Sequence, residues 1–116
     1  MTTLKEIVDY QRKFDKKHGW YWETENEFER LENLQFITLG LTSQAGKFAD
    51  VVKRMVREFR SVKKLPDESM IGMLKKELMD VFIYSLIAAI ALNIDLEKEY
   101  FERMNANEFR FKKFEQ

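Results

Sequence analysis

Residues 41–50 read LTSQAGKFAD. The stretch lies within a longer pattern of apolar residues at helical spacing, running through Phe28, Leu31, Leu34 and Ile37 to Phe48, Val51, Met55 and Phe59. Recurrence every three to four residues marks an amphipathic helix. Within it, Ser43, Gln44 and Lys47 form a polar cluster around Gly46. The spacing therefore predicts one long helix over about 25–60. A bend is expected near 38–42, where β-branched residues and Gly40 weaken the helix.

Outward from that helix, every segment reads the same way. Thr3 with Glu6 is a capping box opening a helix of about 4–17, and His18-Gly19 closes it. Thr24 with Glu27 reads as a second capping box. In KKLPD (63–67), Pro66 ends what precedes it and Asp67 caps a third helix of about 68–92. Asn93 suits a left-handed C-cap, and Asp95 caps a fourth helix of about 96–109. One Pro and four Gly in 116 residues leave few turns, so the fold class is all-α: a single domain over 1–116 built as a four-helix bundle.

The third helix is apolar nearly all round from Leu78 to Leu92, which predicts that protein surrounds it. Four helices of one small chain do not easily cover it, so a homodimer or tetramer is expected, with this helix near the interface; the alternative is a monomeric four-helix bundle. Lys+Arg and Asp+Glu are both 20, a balance that gives no reason to expect nucleic acid as a partner. There is no Cys, which excludes disulfides, thiol catalysis and Cys-ligated zinc. The start of the chain lacks a signal-peptide pattern, and the 12-residue apolar run at 81–92 is shorter than the roughly 20 residues a bilayer requires. No membrane association and a cytoplasmic location are the expectation.

Three groups of residues have chemistry to offer. Glu77 and Asp80 share a helix face, and Asp80 opens the apolar run. They read either as half of a Mg²⁺ site, since hard oxygen ligands suit that ion, or as a surface pair answered by Lys75 and Lys76. Arg103, Asn107 and Arg110 share a face of the fourth helix, as a phosphate and base grip or as a solvated polar face. The basic run at 53–64 reads as an anion attractor or as the cationic end of an amphipathic helix. His18, the sole histidine, has no catalytic partner nearby in sequence and reads as a cap or packing residue.

From HGW (18–20) to NEFR (107–110), the chain resembles the all-α nucleoside triphosphate pyrophosphohydrolases of the MazG-like superfamily. In that family one helix carries Glu-Glu-x-x-Glu, the next carries Glu-x-x-Asp before an apolar run, and a later helix supplies cationic and Asn side chains. Gly46 falls on the family's Gly, and Glu77-Leu78-Met79-Asp80 looks like the second motif. The three first-motif acids are replaced by Ser43, Gln44 and Lys47. The resemblance implies a nucleoside triphosphate as ligand and a Mg²⁺ cofactor held by Glu77 and Asp80, with Asp50 as a substitute ligand. It places Arg103, Asn107 and Arg110, helped by Lys47, on the nucleotide.

The replacements alter the electrostatics. A unit charge about 4 Å away is worth about 4 kcal/mol at an effective dielectric near 20. Exchanging an acid for Lys47 therefore weakens binding of a divalent cation, and Lys47 is expected to pair with Glu77, Asp80 or Asp50 in the ion's place. Three functions remain open: a pyrophosphohydrolase of altered metal use, a catalytically inactive nucleotide-binding or regulatory homologue, and a helical protein-interaction dimer.

Overall fold

A computed structural model describes all 116 residues. The chain forms four α-helices: α1 (Leu4–Lys17), α2 (Glu27–Val62), α3 (Glu68–Leu92) and α4 (Leu96–Arg110), followed by a short 3-10 turn at Lys112–Phe114. The ends follow local capping chemistry. Thr3 Oγ1 accepts from the Glu6 amide at 3.1 Å, Asp67 Oδ1 from the Met70 amide at 2.9 Å, and Asp95 Oδ1 from the Lys98 amide at 3.2 Å. Asn93 takes the left-handed conformation at the end of α3, with φ 52° and ψ 48°. Each such cap is worth about 1 kcal/mol.

One cap differs from expectation. Asn26, not Thr24, caps α2, so the helix starts at Glu27 rather than 25. The Asn26 side chain accepts from the amides of Phe28 (2.9 Å) and Glu29 (3.1 Å). The Thr24 hydroxyl instead donates to the Glu29 carboxylate at 2.8 Å and accepts from the Asn26 amide, setting up the lead-in. Asn is as good an N-cap as Ser or Asp and better than Thr, and here it is also better placed.

The 36 residues of α2 form one uninterrupted helix. Thr38 donates its hydroxyl to the Leu34 carbonyl at 2.7 Å, and the helix continues through the β-branched segment. Gly40 is explained by packing rather than weakness. A methyl group there would collide with the ring of Tyr84 on α3.

The main packing is α2 antiparallel to α3, with α1 lying on α3 and α4 on α1. The less exposed face of α2 runs through Leu34, Ile37, Leu41, Gln44, Phe48, Val51, Met55 and Glu58. Those steps alternate three and four, the spacing of a helix-pair seam. The facing positions of α3 run through Met70, Leu74, Glu77, Val81, Tyr84, Ala88 and Ala91 with the same alternation. Ile37, Ile87 and Ala91 form the centre of the core, flanked by Leu34, Ile83, Tyr84 and Ala88. Burying a side chain such as Ile37 or Leu86 contributes roughly 1.5–3 kcal/mol.

Much apolar surface stays outside this core. Only 9 of 116 residues are buried, while Phe28, Leu31, Leu39 and Leu78 are among the large side chains left exposed. The Cα radius of gyration is 18.1 Å, against about 13 Å for a compact domain of about this size.

Candidate functional site

The α2–α3 seam sets the geometry of the motif residues. Ile37 meets Ile87, and Gly40 meets Tyr84, so three residues forward on α2 correspond to three residues back on α3. One further turn places Gln44 level with Asp80, and Lys47 level with Glu77. Residues 44–47 of α2 and 77–80 of α3 thus lie along the same stretch of the seam. Glu77, Asp80 and Gln44 are all partly buried there, whereas Ser43, Lys47 and Asp50 are exposed.

Gln44 Oε1 and Glu77 Oε2 are buried oxygens with no hydrogen-bond partner. Both are acceptors, in a seam built mostly from apolar side chains. Leaving such a group unsatisfied costs about 1–3 kcal/mol. Neither Glu77 nor Asp80 belongs to an ion pair, so Lys75 and Lys76 do not answer them.

The expected internal cation is not formed. Lys47 makes no ion pair with Glu77, Asp80 or Asp50, because its position on α2 turns it toward solvent. Asp50 is held instead by Lys53 (3.4 Å) and Arg54 (3.5 Å), one turn further along its own helix. Exposed pairs of this kind contribute little, from about 0 to 1 kcal/mol.

Mg²⁺ favours about six oxygens in octahedral geometry, most of its charge met by carboxylates. Here the seam offers Glu77 and Asp80, with a neutral amide oxygen from Gln44. No group of three or more His, Cys, Asp or Glu side chains is placed so that it could hold a metal ion. The residues present do not fit the acid cluster that the resemblance implies.

The α4 residues stand apart. Helix α4 packs on α1 and on the 3-10 turn, not along the α2–α3 seam. Arg103 is exposed, Asn107 points its amide at the Met104 sulfur (3.7 Å), and the Arg110 guanidinium lies 4.5 Å from the Phe111 ring centroid. Within one chain they are not gathered around Glu77 and Asp80.

A second feature is absent from the motif reading. Asp15 on α1 is 1% exposed, the one buried charged side chain. Its Oδ2 accepts from the Trp22 indole at 2.9 Å and its Oδ1 from the Gln11 amide at 3.0 Å. Asn33 donates to the Trp22 carbonyl at 3.3 Å, and Trp22 stacks on Phe36 with centroids 5.8 Å apart. The aromatic connector is thereby pinned between α1 and α2. It walls a cavity of about 230 Å³ lined by Phe14, Asp15, Trp20, Trp22, Phe36 and Tyr84, among others. For scale, an apolar cavity of about 150 Å³ holds benzene. Tyr84 lies four residues after Asp80, on the same face of α3, so that wall of the cavity is one turn beyond the acidic pair. The signal available in sequence was WYWET (20–24), but its aromatic side chains have no helical period to place them.

His18 is the C-cap of α1, its Nδ1 2.7 Å from the Phe14 carbonyl and its ring between Phe14 and Trp20. That is the capping and packing role expected of it. Comparison with protein-family models, curated proteins and solved structures found no match to this chain. No single helix is long and apolar enough to cross a membrane.

Proposed function

We propose that this chain is a MazG-like helical protein that binds a nucleotide without hydrolysing it. One observation carries the reading: Gln44 and Glu77 each place an unpartnered buried oxygen in the α2–α3 seam, with no third carboxylate beside them. Apolar residues would pack that seam better, so polar side chains there suit a ligand that brings its own donors. The aromatic cavity one turn away suits a flat heterocycle stacked among Trp22, Phe36 and Tyr84. The same set lacks what hydrolysis in the family manner requires, because a neutral amide and an exposed ammonium replace acids on α2.

The test combines calorimetric titration with a pyrophosphate assay, using canonical nucleoside and deoxynucleoside triphosphates with Mg²⁺ or Mn²⁺. Binding without pyrophosphate release is the expected result, with binding weakened in Trp22→Ala. Pyrophosphate release that disappears in Asp80→Ala would instead make the chain a hydrolase of altered metal use. Absence of nucleotide binding would leave a helical interaction protein.

A further inference from the structure

The outward face of α2 carries a second seam. Counting in sevens from Phe28 gives Phe28, Gln35, Thr42, Ala49 and Val56; counting from Leu31 gives Leu31, Thr38, Ala45, Val52 and Phe59. All ten are exposed, although seven are apolar. Phe28 is 81% exposed and Leu31 66%, for side chains that normally seek cover. A sustained seven-residue repeat of this kind is the sequence of a helix that pairs with another helix. No other helix of the chain packs along it: α2 packs on α3 through the neighbouring face of Leu34, Ile37, Leu41, Gln44, Phe48, Val51 and Met55, about a quarter turn round the helix.

The stripe is organised about its middle. Large residues stand at both ends, Phe28 and Leu31 at one and Val56 and Phe59 at the other. Small ones, Thr42, Ala45 and Ala49, stand between. Gly46 beside them is also exposed, with open space where its Cβ would be. Small side chains at a crossing let two helix axes approach toward the near end of the usual 8–10 Å range. Charge follows the same plan with opposite sign. Residues 25–32 hold Glu25, Glu27, Glu29 and Glu32 against Arg30 alone. Residues 53–64 hold Lys53, Arg54, Arg57, Arg60, Lys63 and Lys64 against Glu58 alone.

We infer that this face docks on α2 of a second copy of the same chain, antiparallel about a twofold axis near residues 43–44. The acidic end of each α2 then lies along the basic end of the other, whereas a parallel pair would set like charges side by side. Phe28 comes level with the partner's Phe59, Leu31 with the partner's Val56, and Thr42 with the partner's Ala45. Gln35 is the one amide in the stripe, the kind of residue that fixes register in such pairs at some cost in stability. Self-pairing through one patch is isologous and closes as a dimer. The two α2–α3 pairs together make a four-helix core. This interface is independent of whether a nucleotide binds.

Two measurements on the full chain test it. Light scattering at micromolar concentration should give about twice the 14.0 kDa chain mass. Ala45→Glu, at a position exposed in the single chain, should return the mass of one chain with helix content unchanged by circular dichroism. The chain has no cysteine, so engineered thiols are unambiguous. Phe28→Cys with Phe59→Cys should cross-link two chains under mild oxidation, while each single variant should not. Positions 28 and 59 lie about 46 Å apart along one helix, so the disulfide cannot form within a chain. A monomeric wild type, an oligomer indifferent to Ala45→Glu, or cross-linking by either single variant would overturn the inference.

Discussion

The ring of Tyr84 on α3 occupies the space that a side chain at Gly40 on α2 would need. The contact fixes how closely the two main helices approach and in what register. Gly40→Ala gains up to about 1 kcal/mol of helix propensity. It loses more by overpacking, typically about 1–3 kcal/mol. A net drop in melting temperature of several degrees is expected, partly recovered when Tyr84→Leu is combined with it. A melting temperature at or above wild type in Gly40→Ala would contradict this packing.

Asp15 accepts hydrogen bonds from both Trp22 and Gln11 while almost wholly buried. Asp15→Asn presents an amide donor toward at least one existing donor. The expected cost is about 1–3 kcal/mol, the range for a buried group left unsatisfied. Release of the connector should also shift Trp emission to longer wavelength. Unaltered emission together with unaltered stability would mean that the carboxylate does not hold Trp22.

Gln44→Leu replaces an unpartnered buried acceptor with apolar volume in the seam. Stability is expected to rise by roughly 1 kcal/mol, because a desolvated amide oxygen is removed without losing a bond it makes. Chemical denaturation checks the sign. A clear loss of stability would show that Gln44 has a bonding partner in solution.

Divalent cations are expected to leave thermal stability unchanged. A specific site at a hundredfold excess over its Kd would add about 2.7 kcal/mol to the folded state. Melting the protein with Mg²⁺ or Mn²⁺ in the millimolar range reads this directly. A cation-dependent rise that vanishes in both Glu77→Gln and Asp80→Asn would establish a metal site despite the missing acids.

Asn26→Ala should cost about 1 kcal/mol by exposing the Phe28 and Glu29 amides at the start of α2. Thr24→Ala, which leaves that cap in place, should cost less. The order of the two variants in denaturant midpoint decides which residue caps the helix.

The helix ends show why part of the fold was legible in advance. Thr3, Asp67, Asn93 and Asp95 act on backbone groups within a few residues, so their chemistry is contained in short sequence windows. Thr24 and Asn26 show the limit of the same logic, because two polar side chains two residues apart each offer a cap to different amides and geometry chooses where the helix starts. In the candidate site, the spacing of Glu77 and Asp80 on one helix was legible, and so was the replacement of acids at Ser43, Gln44 and Lys47. Which way Lys47 points was not, since an unpaired cation gains more from water than from a distant carboxylate across a seam.

The sequence by itself determined four helices, their boundaries to within two residues, and the polar interruption of an otherwise apolar stretch of α2. Periodicity and capping are properties of residues three or four apart, so no distant contact is needed to read them. Tertiary structure decided that Gly40 makes room for Tyr84, that Asp15 is buried beneath Trp22, and that α4 lies on α1 away from Glu77 and Asp80. Each joins residues distant in sequence, where the balance between desolvation and packing depends on neighbours that only folding supplies.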